Sequence, residues 1–264
     1  MPGTLRTMRS EELAVTRTPN PDTRLVKVRR IVIMPAHNEE DSVAGVVGEI
    51  RAADPDFEIV VVDDGSTDRT AHAAEAAGAI VLRLPYNLGI GGAVQTGYRY
   101  ALENNFDIAV QVDGDGQHDP SEVARLLEPI IDGRADMVVG TRFAEGGGYR
   151  GTRLRRVGIH LFAAIVSLIV RQRVTDTTSG FRAVNRKAIR LFAFDYPHDY
   201  PEVEATVVLS RHGLRMIEVP VQMRIRETGN SSITAIRSVY YMVKVLLALF
   251  IGLFRRYSTP LEES

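Results

Sequence analysis

The stretch IAVQVDGDGQH at residues 108–118 decides the fold, because a short, mostly apolar run ends directly in two aspartates separated by one glycine. Two earlier stretches have the same form: IVIMPAHNEE at residues 31–40 and IVVVDDGSTD at residues 59–68. In an open α/β sheet, ligands bind beyond the carboxyl ends of the strands, so functional side chains are expected directly after them. The three stretches therefore predict a sheet with a binding site along the ends of its strands.

Helix-length segments separate these strands along the chain. Short β-branched runs predict strands at 31–34, 58–62, 79–82, 108–112 and 137–140. Apolar residues at helical spacing predict helices at 41–53, 68–77, 91–104, 120–132 and 202–212, and a further strand is expected at 216–223. The fold class is therefore α/β, with a mostly parallel, Rossmann-like sheet covered by helices on both faces, and five strands in its first half.

Composition excludes several classes of protein. The chain has 264 residues, of which 45% are hydrophobic and 25% charged, and its net charge of -1 is near balance. These are ordinary globular values, and nothing in them indicates a nucleic-acid partner. Because there is no cysteine, disulfides and thiolate metal sites are excluded, and any metal must take oxygen or histidine ligands.

Three parts are expected along the chain. Residues 1–29 are polar and rich in Arg, Thr and Pro, which predicts a flexible lead with no signal peptide. Residues 30–233 form the α/β domain. Residues 234–264 carry a C-terminal apolar helical appendage, with its apolar run at 238–254, for which an interfacial or partner-binding helix is expected.

A second apolar run, at 157–170, is bracketed by arginines. As a helix it would be about 21 Å long, which is too short to cross a hydrocarbon core of roughly 30 Å. Two interpretations stay open: a helix lying at a membrane surface, or a buried core helix with solvated ends.

The pair Asp113 and Asp115 is the strongest candidate for a metal site. Carboxylate oxygens suit Mg²⁺ or Mn²⁺, which share their coordination with substrate phosphates, and the amide oxygen of Gln117 could add a ligand. Gly114 lets the backbone turn and lets a ligand approach. The plain alternative is a solvated turn that caps the next helix.

Other acidic and glycine residues at strand ends are more ambiguous. Asp64 could accept hydrogen bonds from a nucleobase or ribose, whereas residues 66–68 could simply cap the following helix. Glu39 has the same ambiguity, since acidic side chains favour the first turn of a helix. Gly89 begins a glycine-rich helix start, residues 89–92, that could present backbone N–H groups to a phosphate.

The joint order of these motifs resembles the family 2 glycosyltransferases, and among them the dolichyl- or polyprenyl-phosphate sugar synthases. The motifs are IVIMPAHNEE, VVDDGSTD, NLGIGGAVQTG, VDGDGQHDP, MVVGTRF and TDTTSGFRAVNR, spread over about residues 31–233. The resemblance implies a GT-A fold and an inverting transfer of a sugar from a nucleoside diphosphate to a lipid-linked phosphate. It also implies a Mg²⁺ or Mn²⁺ cofactor and action at the cytoplasmic face of a membrane.

The resemblance also assigns roles to individual residues. It implies a metal site with catalytic Asp115, formed by Asp113, Asp115 and Gln117. Arg142 is similar to an arginine that meets the acceptor phosphate, and Arg155 to a second one, although Ile159 stands where the family has serine. The implied donor-nucleotide residues are Pro35, Ala36, Asn38, Glu39, Asp64, Gly89, Asp113 and Gly114.

The acceptor decides whether a base is needed. A phosphate nucleophile is mostly ionised at neutral pH, so arginines need only position it. A sugar hydroxyl on a cell-envelope glycan would need a carboxylate base, for which Glu202 and Glu204 are candidates, unless they are only an acidic helix start. A third hypothesis is a catalytically silent nucleotide-sugar binder or membrane scaffold. In each case a homo-oligomer or a membrane-protein partner could be held through the C-terminal helix.

Overall fold

The computed structural model describes residues 28–142 and 153–224, together with Lys244, Val245 and Leu247, whose backbone is helical. The described strands are β1 (Arg30–Ala36), β2 (Glu58–Asp63), β3 (Ile80–Arg83), β4 (Ile108–Gln111), β5 (Met137–Thr141), β6 (Arg182–Asn185) and β7 (Met216–Pro220). The helices are α1 (Val43–Ala53), α2 (Thr70–Ala76), α3 (Gly89–Glu103), α4 (Val123–Ile131), α5 (Arg153–Val170), α6 (Arg186–Phe194) and α7 (Pro201–Arg211). A turn of 3₁₀-helix, Pro120–Glu122, precedes α4.

The strands form one mixed sheet in the order β3-β2-β1-β4-β6-β5-β7. All pairings are parallel except those of β6, which runs antiparallel to both β4 and β5. The predicted α/β class and mostly parallel sheet are therefore confirmed. The five predicted strands do not lie side by side, however, because β6 separates β4 from β5.

Sequence reasoning missed β6 and α6. The strand β6 has only four residues, RAVN, and carries Arg182 at its start, so it lacks the apolar run by which the other strands are recognised. Asn185 ends the strand and caps α6, because its side chain accepts hydrogen bonds from the N–H groups of Lys187 and Ala188.

Each face of the sheet is buried against helices. One core cluster includes Ile33 and Ala109 from the sheet and Phe192 from α6, and the other includes Met34 and Val110 from the sheet with residues of α1 and α4. Neighbouring residues of a strand point to opposite faces, so continuous apolar strands are expected in a sheet covered on both sides. The helix α3 packs so closely on β1 that a Cβ at Gly97 would lie 2.2 Å from Cγ2 of Ile33.

The apolar run in α5 supplies part of the core. Phe162, Val166 and Val170 are buried, whereas Leu168 is 80% exposed. Between residues 162 and 170, one face of α5 is therefore part of the core, as the second interpretation expects. Within the described ranges, no helix is long and apolar enough to cross a membrane. Residues 1–27 of the predicted lead at 1–29, and most of the appendage at 234–264, lie outside the described residues.

Candidate active site

A cleft of about 310 Å³ opens at the carboxyl ends of β1, β2 and β4. The chain runs outward from β1 through β2 to β3 and then crosses to β4 on the other side of β1. The end of β1 is therefore the switch point where α/β sheets bind ligands. Eight residues predicted from the sequence line this cleft: Pro35, Ala36, Glu39, Asp64, Gly89, Asp113, Gly114 and Asp115. Four residues that the predictions did not include also line it: His37, Asn87, Ile90 and Ala93.

Asn38 does not line the cleft directly, but it connects two loops that lie next to it. Its backbone N–H donates to Oγ of Ser66 at 3.0 Å, and its Oδ1 accepts from the N–H of Thr67 at 2.9 Å. Asn38 has a positive φ of 55°, a conformation that asparagine adopts more readily than most residues. Asn38 therefore holds the loops after β1 and β2 together, and its predicted contact with the nucleotide stays a prediction.

Asp64 is a buried carboxylate that organises the glycine-rich start of α3. Asp64 is only 4% exposed, and its Oδ1 accepts a hydrogen bond from the N–H of Leu88 at 2.7 Å. The backbone N–H of Asp64 donates to the carbonyl of Ala36 at 2.9 Å. Through its backbone N–H and its carboxylate, Asp64 thus joins the ends of β1 and β2 to the loop before Gly89.

The loop after β4 presents the two candidate metal ligands differently. Both carboxylate oxygens of Asp115 accept hydrogen bonds from Gln117, one from its backbone N–H at 3.0 Å and one from its side-chain amide at 2.7 Å. In Asp113, Oδ1 is buried and has no hydrogen-bond partner among the residues that the structure describes. Gln117 therefore orients Asp115, and its predicted role as a direct ligand stays untested.

Space for the Asp113 carboxylate depends on a glycine before β6. A Cβ built at Gly180 would lie 3.2 Å from Oδ2 and 3.4 Å from Oδ1 of Asp113. In the described part of the chain, no group of three or more His, Cys, Asp or Glu side chains is arranged to hold a metal. Two carboxylates and open space fit a cation that takes its remaining ligands from a diphosphate or water.

Arg142 is held in place by a buried carboxylate. Asp176, whose side chain is fully buried, accepts hydrogen bonds from Nε and Nη2 of Arg142 at 2.9 and 3.0 Å. The same Nη2 donates a further hydrogen bond of 2.8 Å to the hydroxyl of Thr178. Glu218 in turn accepts from the N–H groups of Thr175 and Asp176. The guanidinium at the end of β5 is therefore rigidly placed and 40% exposed.

The other predicted acceptor-side residues lie in α5 and α7. Glu202 and Glu204 are in the first turn of α7. Burial raises the pKa of Glu202, Arg182 opposes this rise, and the charge of Asp113 adds to it, so Glu202 is near enough to Asp113 to feel its charge. Arg155 lies in α5, but its side chain is outside the described part of the chain.

Arg182 is a functional candidate that sequence reasoning missed. It is only 2% exposed, and its guanidinium donates to the carbonyl oxygens of Ser179 and Glu202. It lies opposite Gln111 across the β4–β6 pair, so both side chains point to the same face of the sheet. Its position among mostly apolar residues could have identified it, because a charged side chain in a buried strand needs compensating partners.

Known proteins resemble this chain along most of its length. The model of the family described as "Glycosyl transferase family 2" matches residues 31–192. The undecaprenyl-phosphate mannosyltransferase of Micrococcus luteus is 32% identical over 216 residues, covering 78% of this chain and 88% of that protein. The polyprenol monophosphomannose synthase of Mycolicibacterium smegmatis is 30% identical over 227 residues, covering 82% and 85%.

A solved structure supports the same fold. Glucosyl-3-phosphoglycerate synthase from Mycobacterium tuberculosis matches with a TM-score of 0.65 and 24% identity, covering 86% of this chain and 80% of that chain. The family match spans more than half of the sequence, and its motifs form the cleft described above. The chain therefore belongs to glycosyl transferase family 2 and, as the sequence predicts, is a glycosyltransferase.

Proposed function

We propose that this protein transfers a sugar from a nucleoside diphosphate to a polyprenyl phosphate, with Mg²⁺ or Mn²⁺ bound at Asp113 and Asp115. The observation that carries the proposal is the Asp113 carboxylate, whose buried Oδ1 has no partner in the described part of the chain, beside a cleft that Asp115 also lines. A buried acceptor without a partner costs about 1–3 kcal/mol. A divalent cation with the donor diphosphate would satisfy it.

The donor would lie along the cleft from Asp64 to Asp115. Asp64 would accept hydrogen bonds from the ribose or base, since its carboxylate already lies at the wall of the cleft. The glycine at position 89 leaves the backbone near this wall open to close approach. When bound, the cation would neutralise the diphosphate that leaves the sugar.

The acceptor half of the proposal rests on Arg142 and on the relatives. Arg142 is pre-oriented by Asp176 and remains partly exposed, as a group that binds a phosphate from solvent must be. Relatives that are 30–32% identical carry the names undecaprenyl-phosphate mannosyltransferase and polyprenol monophosphomannose synthase. A lipid acceptor would bring the enzyme to a membrane surface, at the face where nucleotide sugars are supplied, which is the cytoplasmic face.

One observation favours a second candidate, transfer to a sugar hydroxyl. Burial raises the pKa of Glu202, and the charge of Asp113 raises it further. A raised pKa is typical of a general base that must accept a proton near neutral pH. In this case Glu202 would take the hydroxyl proton, whereas a phosphate acceptor needs no base.

A donor and acceptor screen tests the proposal. Nucleoside-diphosphate sugars would be incubated with undecaprenyl phosphate in detergent and Mg²⁺ or Mn²⁺, and products identified by mass. We expect a polyprenyl monophosphosugar, its loss with a chelator, and a loss of at least about 100-fold in Asp113→Asn. The exposed Asp132→Asn is the matched control and should retain full activity.

Two outcomes would overturn the proposal. Full activity in the presence of a chelator would exclude the metal role of Asp113. Transfer to a sugar hydroxyl, with none to polyprenyl phosphate and with loss in Glu202→Gln, would establish the second candidate instead.

A further inference from the structure

His118 is a buried histidine that directly follows the candidate metal loop. It is 4% exposed, and its ring stacks on Phe181 with the ring centres 4.8 Å apart and the planes within 10°. Phe181 is fully buried and comes directly after Gly180, whose missing side chain leaves room for Asp113. Two adjacent residues before β6 therefore contact this loop: Phe181 packs on the ring of His118, and Gly180 leaves space for Asp113.

Both ring nitrogens of His118 face Asp113. The backbone N–H of Asp113 donates to Nδ1 at 3.0 Å. A neutral imidazole that accepts at Nδ1 carries its proton on Nε2. That Nε2 lies 3.6 Å from Oδ2 of Asp113, while Oδ1 of the same carboxylate has no hydrogen-bond partner within the described ranges. The ring thus distinguishes the two carboxylate oxygens of Asp113.

The loop around His118 is also fixed from its other side. His118 forms an isolated antiparallel bridge with Met223, and the N–H of Arg224 donates to the carbonyl of Gln117 at 2.9 Å. Arg224 pairs with Glu49 at 2.6 Å and with Asp119 at 3.3 Å. These contacts hold the loop without involving the Asp113 carboxylate, so the backbone and carboxylate roles of His118 can be separated.

We propose that His118 is a positioning residue for the metal site: its ring, bonded at Nδ1 to the N–H of Asp113 and with Nε2 3.6 Å from Oδ2, fixes the direction in which the Asp113 carboxylate faces the cation. This inference rests on the proposed metal role of Asp113. Groups that orient a metal ligand typically contribute 10–100-fold to metal affinity. A merely structural histidine would affect stability and leave the metal affinity of the folded protein unchanged.

Two substitutions separate the two nitrogens. In His118→Asn, the side-chain oxygen can replace Nδ1 as acceptor for Asp113 N–H, but nothing reaches the position of Nε2. In His118→Gln, the longer amide can place an N–H near that position. We expect His118→Asn to weaken Mn²⁺ binding by about tenfold or more, and His118→Gln to recover most of that loss.

Mn²⁺ binding would be measured on the full chain by electron paramagnetic resonance of the free ion, with thermal melts of each variant. His72, an exposed histidine on α2, provides the control His72→Asn, which should bind Mn²⁺ as the wild type does. If His118→Asn fails to fold, Phe181→Leu takes its place, because it removes the stacked ring without touching Asp113. A several-fold weaker Mn²⁺ affinity is then expected.

The outcomes distinguish the two proposals. Unchanged Mn²⁺ affinity in folded His118→Asn or Phe181→Leu would overturn the role of His118 alone. Equal losses in His118→Asn and His118→Gln would do the same, because a donor at Nε2 would then be irrelevant. A wild-type protein that binds no Mn²⁺ would overturn the metal assignment of Asp113, and the role of His118 with it.

Discussion

Replacing Asp176 by asparagine should loosen Arg142 and destabilise the fold by about 2 kcal/mol. An exposed ion pair contributes about 0–1 kcal/mol, and removing one partner of a buried pair costs about 3–5 kcal/mol. Here the Asp176 side chain is fully buried and Arg142 is 40% exposed, so the cost lies between these limits. Asparagine keeps one acceptor oxygen but loses the charge and one of the two parallel bonds.

The assay is urea unfolding followed by circular dichroism, combined with the KM for polyprenyl phosphate. Because Arg142 would no longer be held in one orientation, KM should rise while the KM for the donor stays constant. The matched control is Asp132→Asn, which breaks a pair with Arg134 whose side chains are 51% and 49% exposed. It should cost less than about 0.5 kcal/mol.

A double-mutant cycle with Arg142→Ala completes the test. The coupling energy between Asp176 and Arg142 should exceed about 1 kcal/mol, because the two side chains share two direct bonds. Additive effects of the two substitutions, or a stability of Asp176→Asn within about 0.5 kcal/mol of wild type, would refute the reasoning.

Three further predictions concern other parts of the site and core. Burial raises the pKa of Glu202, so its stabilising contribution is lost as pH rises through that pKa. Glu202→Gln should therefore raise Tm near about pH 8 but not near about pH 4. Thermal melts in which Tm of the variant differs from that of the wild type by the same amount at both pH values would contradict this. Gly180→Ala places a Cβ 3.2 Å from Oδ2 of Asp113 and should weaken Mn²⁺ binding several-fold by calorimetry, whereas unchanged affinity would show that the carboxylate yields freely. Gly97→Ala brings a Cβ 2.2 Å from Ile33 and should lower the free energy of unfolding, measured in urea, by about 1–3 kcal/mol or more. An unchanged free energy of unfolding would show that Ile33 repacks to make room for the methyl group.

The sequence predicted well which residues line the cleft, because most of them follow directly after apolar strands. Pro35, Asp64 and Asp113 each stand at the end of such a strand, and parallel strands bring those ends together. Local pattern was sufficient there, since the strands themselves determine where the side chains lie.

The remaining features depend on contacts between distant parts of the chain. Asp176 lies 34 residues after Arg142, and no local pattern pairs them. Stacking of His118 on Phe181 requires β6 to lie beside β4, and β6 is too short and too polar at its start to be recognised as a strand. Long-range pairing with β4 and β5 stabilises this short segment as a strand, beyond what its own sequence favours.

The position of β6 has a consequence for the order in which the protein is made. The predicted donor-side residues are all synthesised by residue 115, but β4 and β5 are joined in the sheet by β6, which pairs with both and begins at Arg182. Until that point has left the ribosome, one edge of β4 is unpaired and Gly180 is not yet beside Asp113. An emerging chain should therefore acquire protease resistance and cation binding together, and late, rather than in the order in which the motifs occur.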